Sequence, residues 1–252
     1  QARTTAVATS PTTLYSAPLD DFSRTFDEAT RERLLKLLSG VGENVEDARS
    51  LDPTQRHELA ALVAEALDAS PYVVGALYLE GAWTVRDTIV GFLPGVQGAG
   101  DAWAKLNETL PAVQALEAPR GRTIALFDMA RLAHRGGLPL ERDALLSQLD
   151  AFPDAGLGAQ EKRREFIHRV GREGELLAKA RAAFRQGLDA RLGDPATRAS
   201  TRLLVSDLSR RLGDWDEART QIEAVLGDSK APPEALAQAR DIQAVLKLQK
   251  RE

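Results

Sequence analysis

Arg210-Arg-Leu-Gly-Asp-Trp-Asp-Glu-Ala218 reads as the end of one helix, a tight turn and the start of another. Gly213 can adopt the positive φ that closes a helix without a Cβ penalty, and the Asp214 carboxylate stands where it can accept the free N–H groups of the next helix. Asp216 and Glu217 fall in that helix's first turn, where the dipole favours acids. The flanking apolar stripes agree: Leu204, Leu208 and Leu212 recur every four residues before the turn, and Ala218, Ile222 and Leu226, joined by Val225, after it. The pattern predicts an antiparallel helical hairpin with Trp215 as a wedge at its corner.

The same punctuation recurs along the chain. Asp52-Pro53, Ser70-Pro71 and Asp194-Pro195 pair a capping side chain with a proline shaped for the first helical position, and Pro232-Pro233 opens a terminal helix. Thr25 and Glu28 have capping-box spacing, so a first helix is expected from near Phe26 to Gly40, closed by Gly42. Helices carrying Leu59, Leu62, Val63 and Leu67, then Val74, Leu77, Tyr78, Ala82 and Val85, follow, the second apolar enough to be central to the core. Another, marked by Trp103, Leu106 and Leu110, is expected to be interrupted at Pro111. Gly136-Gly137 predicts a second hairpin, and Gly171 and Gly174 a break in the long pattern from Phe166 to Leu188. Hardly a strand signal is present. The fold expected is all-α, stacked antiparallel helical hairpins of tetratricopeptide-like kind. Residues 1–24 form a flexible or extended arm and residues 25–252 a helical-repeat domain with a sub-boundary at 152–158.

Composition narrows the chemistry. A net charge of −4 from 33 basic and 37 acidic residues removes global attraction to nucleic acid as an argument. With no cysteine there is no disulfide, thiolate metal site or thiol nucleophile. No run reaches the roughly 18 apolar residues of a membrane span. The expected compartment is the cytoplasm; an exported form stays open because the chain starts at Gln1.

Three stretches resemble a known family. Leu203-Leu-Val-Ser-Asp-Leu-Ser-Arg-Arg-Leu-Gly-Asp-Trp-Asp-Glu-Ala218 with Val225-Leu-Gly-Asp228 and Ala231-Pro-Pro233, the central Leu77-Tyr-Leu-Glu-Gly-Ala-Trp83 with Arg86, and Ser10-Pro-Thr-Thr-Leu-Tyr-Ser-Ala17 with Asp20-Asp-Phe22 are similar to segments of the bacterial DUF2225 family. That resemblance implies a tetratricopeptide-like helical region and, at the N-terminal end, a degenerate zinc-ribbon remnant. Ser10 and Thr13 stand where the family has metal-binding cysteines, and a neutral hydroxyl is a poor zinc ligand, so no metal site is carried over. The resemblance implies a fold without an activity.

Candidate functional residues are few. His57, His134 and His168 lack companions at metal spacing and read as structural. Gly91, Gly95, Gly98 and Gly100 mark a mobile loop; without a preceding strand or a Lys-Ser/Thr pair they do not make a phosphate loop. Lys162-Arg163-Arg164, Arg169 and Arg172 alternate with Glu161, Glu165, Glu173 and Glu175, which predicts a self-paired solvated face. By analogy with tetratricopeptide geometry, Asp207, Arg210 and Arg211 would look into a concave groove and take an acidic segment of a partner. No catalytic residue and no cofactor is expected. The expected function is a non-catalytic helical-repeat scaffold for protein–protein interaction, with self-association open. Two alternatives stand beside it: an enzyme or small-molecule binder with a pocket between helices, and nucleic-acid binding through the Lys162–Arg172 helix.

Overall fold

The structure, a computed structural model, describes residues 6–42, 47–90, 96, 98–149 and 157–250. Within them the chain is all-α. Its helices are α1 (Glu28–Gly42), α2 (Pro53–Ala66), α3 (Pro71–Val90), α4 (Ala99–Gln114), α5 (Pro119–Gly136), α6 (Pro139–Leu149), α7 (Leu157–Asp189), α8 (Pro195–Arg211), α9 (Trp215–Leu226) and α10 (Pro233–Lys250). One antiparallel pair of three-residue strands, β1 (Val7–Thr9) and β2 (Ser16–Pro18), precedes them. Among the described residues no helix is long and apolar enough to cross a membrane.

Most helices begin where the side chains say they should. Asp52 accepts from the Gln55 N–H at 2.8 Å while the Gln55 amide oxygen accepts from the Asp52 N–H at 2.9 Å, so α2 opens on a reciprocal capping box with Pro53 first. Asp194 caps α8 through the Thr197 N–H at 2.7 Å. The start of α1 differs from the expectation at Thr25: Asp27 takes the Thr30 N–H at 2.8 Å, because its carboxylate sits directly before the first free amides and Thr25 stands two residues too early.

Two expected interruptions do not occur. α4 runs through Pro111 to Gln114; Asn107 and Pro111 are both exposed, so the carbonyl that loses its amide partner can be hydrated. α7 continues without a break past Gly171 and Gly174, as 33 residues of helix.

The chain divides into two compact units, Gln1–Val85 with Arg172–Leu192 and Arg86–Gly171 with Gly193–Glu252, so α3 and α7 each carry residues of both. Of the expected sub-boundary at 152–158, residues 152–156 lie outside the described residues, and 157–158 open α7.

In the first unit the expected N-terminal arm is an ordered hairpin. Val7 pairs with Pro18, Ala8 with Ala17 and Thr9 with Ser16, and both strands pack on α2. Leu14, at the end of the hairpin loop, is buried with Leu34, Leu38, Ala48, Leu51, Leu59 and Val63. Its backbone is left-handed, φ 60°, a cost of about 1–2 kcal/mol that burial of a leucine, at about 1.5–3 kcal/mol, can offset. Strands of three residues carry too short an alternation to read from sequence, so the stretch reads there only as a flexible or extended arm.

α3 and α7 meet in this unit through a reciprocal fit. Tyr72 and Gly75 on α3 face Gly187 and Phe184 on α7: a Cβ on Gly75 would stand 2.9 Å from the Phe184 ring, and one on Gly187 would stand 2.2 Å from the Tyr72 ring. Each helix supplies one aromatic residue and, three positions on, the glycine that receives the other's ring. The Tyr72 hydroxyl donates to the Leu192 carbonyl at 2.9 Å, which fixes its ring over Gly187.

In the second unit α5 packs on α4 and α6, and α8 and α9 form a hairpin, with α10 packed against both of its helices. Small residues make the close crossings. A Cβ on Gly136 would stand 2.3 Å from the Ala102 methyl, and Ala199, Ala235 and Ala239 are buried with Leu203, Ile222 and Val225. Ser206, fully buried on α8, donates to the Ala218 carbonyl of α9 at 2.9 Å.

Two glycines of α7 should respond oppositely to the same change. Gly187→Ala drives a methyl into the tethered Tyr72 ring and should destabilise by about 1–3 kcal/mol, whereas Gly171→Ala, with nothing within 4 Å of its Cβ, should stabilise by up to about 1 kcal/mol through helix propensity. Urea denaturation of the two variants beside the parent measures both.

Candidate functional site

The turn at Gly213 is built as its sequence indicates. Gly213 has φ +78°, its N–H reaches the Arg210 carbonyl at 3.1 Å, and the Asp214 N–H reaches the Ser209 carbonyl at 2.8 Å, the two bonds of a Schellman closure. α9 then begins at Trp215, which is half-buried, with the Asp214 carboxylate accepting from the Glu217 N–H at 3.3 Å.

Asp207, Arg210 and Arg211, on the last turns of α8, do come together, but they do not line an open groove. Asp207 Oδ1 accepts from Arg210 Nη2 at 2.6 Å and Nε at 3.2 Å, and Oδ2 accepts from Arg211 Nε at 2.8 Å. Arg210 turns inward, with 3% of its side chain exposed, and donates through Nη1 to the carbonyls of Gly136 and Gly137, at the corner between α5 and α6. The trio expected to bind a partner is thus paired within itself and with the α5–α6 corner, with Arg210 turned away from solvent. A helix end offers carbonyls without amide partners, and a guanidinium can satisfy them while keeping a carboxylate beside it.

The charges are mutually adjusted. Burial pushes the Asp207 carboxyl up, but the Arg211 and Arg210 guanidiniums together outweigh it and hold the carboxyl well below the usual carboxylate range. Burial in turn lowers Arg210, against the pull of Asp207. Gly137 is required here twice over. Its φ is +65°, and a Cβ would lie 2.8 Å from Arg211 Cγ and 2.9 Å from Arg210 Nη2.

The loop glycines divide. Gly91 and Gly95 lie outside the described residues, while Gly98 is the N-cap of α4, in extended backbone, and Gly100 is in its first turn. Of the 161–172 stretch, Arg169 binds Glu165 and donates to the Thr88 carbonyl at 3.3 Å, and Arg172 binds Glu175 at 2.9 Å and also Glu58. Lys162 and Arg164 are exposed. His57 and His134 are buried, the latter with its ring edge-on to Phe166 at 5.7 Å, and His168 is exposed. No group of three His, Cys, Asp or Glu side chains that could hold a metal ion occurs among the described residues. In the loop between β1 and β2, the Ser10 hydroxyl accepts from the Thr13 N–H at 3.3 Å.

Two polar clusters were missed in the sequence. In the first unit Glu58 of α2 receives Arg172 and Lys179 of α7, the Lys179 ammonium at 2.9 Å and also 5.3 Å from the centre of the Tyr78 ring. Burial, then the Glu65 carboxylate, raises the Tyr78 phenol well above its ordinary value, so it stays a neutral donor. In the second unit the end of α3 is held by cations: Arg131 Nε donates to the Ile89 carbonyl at 3.2 Å, Arg169 to that of Thr88, and Arg135 binds Asp87 at 2.8 Å. The partners are 42 to 81 residues apart in the chain, beyond any local spacing rule.

What fold and side chains define is an all-α protein whose best-formed polar clusters knit helices together. Compared with models of protein families, with curated proteins and with solved structures, the chain matches none.

Arg210→Ala should cost about 3 kcal/mol in denaturant unfolding, since it strips two buried carbonyls and one side of Asp207 at once. The low-lying Asp207 carboxyl contributes stability that is complete above the unfolded value near pH ~4 and is lost as pH falls through the lower folded value, because the unfolded chain binds the proton more readily. Asp207→Asn should therefore flatten the fall in melting temperature below pH ~4 relative to the parent.

Proposed function

We propose that this chain is a non-catalytic helical scaffold that binds another protein, with α8, α9 and α10 forming a tetratricopeptide-like module. The packing of α10 against both members of the α8–α9 hairpin supports the module, since the first helix of a following repeat would take that place. The small residues Ala199, Ser206, Ala218 and Ala239, all nearly or wholly buried, are the kind that such close crossings need.

One observation carries the binding role. The ionic clusters of the second unit are spent on its own helix ends, while large apolar side chains stay in water: Ile124 on α5 is 57% exposed and Ile167 on α7 is 45% exposed. Each lies within one turn of the Phe127–Phe166 ring pair, whose centroids are 5.5 Å apart. Apolar exposure beside rigid aromatics is what the core of a protein interface uses. The reading replaces the Asp207, Arg210 and Arg211 groove as the docking surface. The DUF2225-like segments support the same general class, a helical region without an assigned chemistry.

The test is affinity capture with the full chain as bait, followed by binding of the recovered partner in purified form to the parent and to an Ile124→Glu/Ile167→Glu variant. Because both side chains are exposed, the variant should keep its helical circular dichroism and lose at least tenfold in affinity, a loss of about 1.4 kcal/mol. Equal binding by the variant would remove this surface. A salt-sensitive affinity for nucleic acid, abolished by Lys162→Ala/Arg164→Ala, would favour the alternative class.

A further inference from the structure

We propose that His57, buried in the crossing of α2 and α3 in the first unit, makes that contact acid-sensitive, with Glu80 moderating the response. His57 projects from α2 into the crossing and is 5% exposed. Gly81 of α3 makes room for it: a Cβ there would stand 3.3 Å from the His57 Cβ and 3.7 Å from both Leu176 Cδ1 and the Thr54 carbonyl. His57 Nδ1 is buried without a hydrogen-bond partner, and a carboxylate oxygen, Glu80 Oε2, lies 3.8 Å away, too far for a hydrogen bond. The imidazole is thus held in a buried crossing beside a carboxylate that it does not quite reach.

Burial pushes the imidazole below its ordinary value, and Glu80 pulls it back only in part. Several other charged groups on elements packed against α2 are engaged away from His57. On α7, Arg172 and Lys179 are bound to Glu58, and Glu173 is itself buried with partners of its own. On α1, Arg33 is paired with Asp68, and the strands of the hairpin, Val7–Thr9 and Ser16–Pro18, bear no ionisable side chain. On α3, Glu80 is the acid facing His57.

The sign follows from this. An exposed imidazole in the opened state takes up a proton near pH ~6.5, earlier than the buried one, so the closed crossing is fully stable above that pH and loses stability as pH falls below it. Mild acid should therefore loosen α2, with the hairpin packed on it, from α3.

Hydrogen exchange on the full chain tests this. Between pH 7.5 and 5.5, after correction for intrinsic exchange, the opening equilibrium of α2 amides should rise by up to about tenfold, the factor set by one unit of pH below an ordinary imidazole value. His57→Gln, which keeps a polar side chain but takes no charge, should show no such rise; Glu80→Gln should show one at least as large as the parent. The same rise in His57→Gln as in the parent would overturn the proposal. Should His57→Gln not fold, nuclear magnetic resonance titration of the parent decides: a His57 midpoint below that of exposed His168 supports the proposal, and one at or above it overturns it.

Discussion

A helix leaves its last carbonyls without amide partners, and a chain made almost wholly of helices meets that problem at every turn. Here α2, α5, α7 and α8 end with the same pair of backbone bonds, closed over Asp68, Gly137, Arg191 and Gly213, each with a left-handed backbone. At Gly137 the backbone closure is joined by side chains. Arg210 reaches the carbonyls at the α5–α6 corner, and Asp207 and Arg211 hold the guanidinium in place. The corner of one hairpin is thereby bonded to the end of the next, and the second unit's helices are located by that contact as well as by apolar packing.

The first unit solves a different problem, how to bring two helices close without a continuous leucine seam. Tyr72 over Gly187 and Phe184 over Gly75 let the backbones of α3 and α7 approach at two points, each ring filling the place a Cβ would occupy. On the α2 side, Gly81 admits His57 in the same manner. Glycine in mid-helix lowers helix propensity by roughly 1 kcal/mol relative to alanine, and the packing of a tyrosine, a phenylalanine and a histidine against bare backbone is what offsets it.

The disposition of charge bears on function. Arg131, Arg135 and Arg169 grip the end of α3, Arg172 and Lys179 share Glu58, and Arg210 and Arg211 share Asp207. Cations that look available to an acidic partner in a linear sequence are engaged by carboxylates and carbonyls of the chain itself. Ile124 and Ile167, by contrast, stay apolar and in water, and the docking surface proposed around them is one that a partner could reach with little to unpair.

The sequence by itself determined the helices and their ends, because capping and left-handed closure act over four to six residues. Asp52-Pro53, Asp194-Pro195, Gly136-Gly137 and Leu212-Gly213-Asp214 carry their chemistry within that reach. It misplaced the first cap by two residues and read Pro111 as an interruption, since neither neighbouring competition for amides nor solvent access to a freed carbonyl is visible in a string of letters. The hairpin at Val7–Pro18 escaped notice because what orders it is the burial of Leu14 against residues 20 to 49 positions away. Only the tertiary structure decided what the polar side chains do. Asp207, Arg210 and Arg211 are neighbours on one helix face in either view, but whether that face meets water or the carbonyls of Gly136 and Gly137 depends on a contact across 73 residues of chain, and no local spacing encodes it.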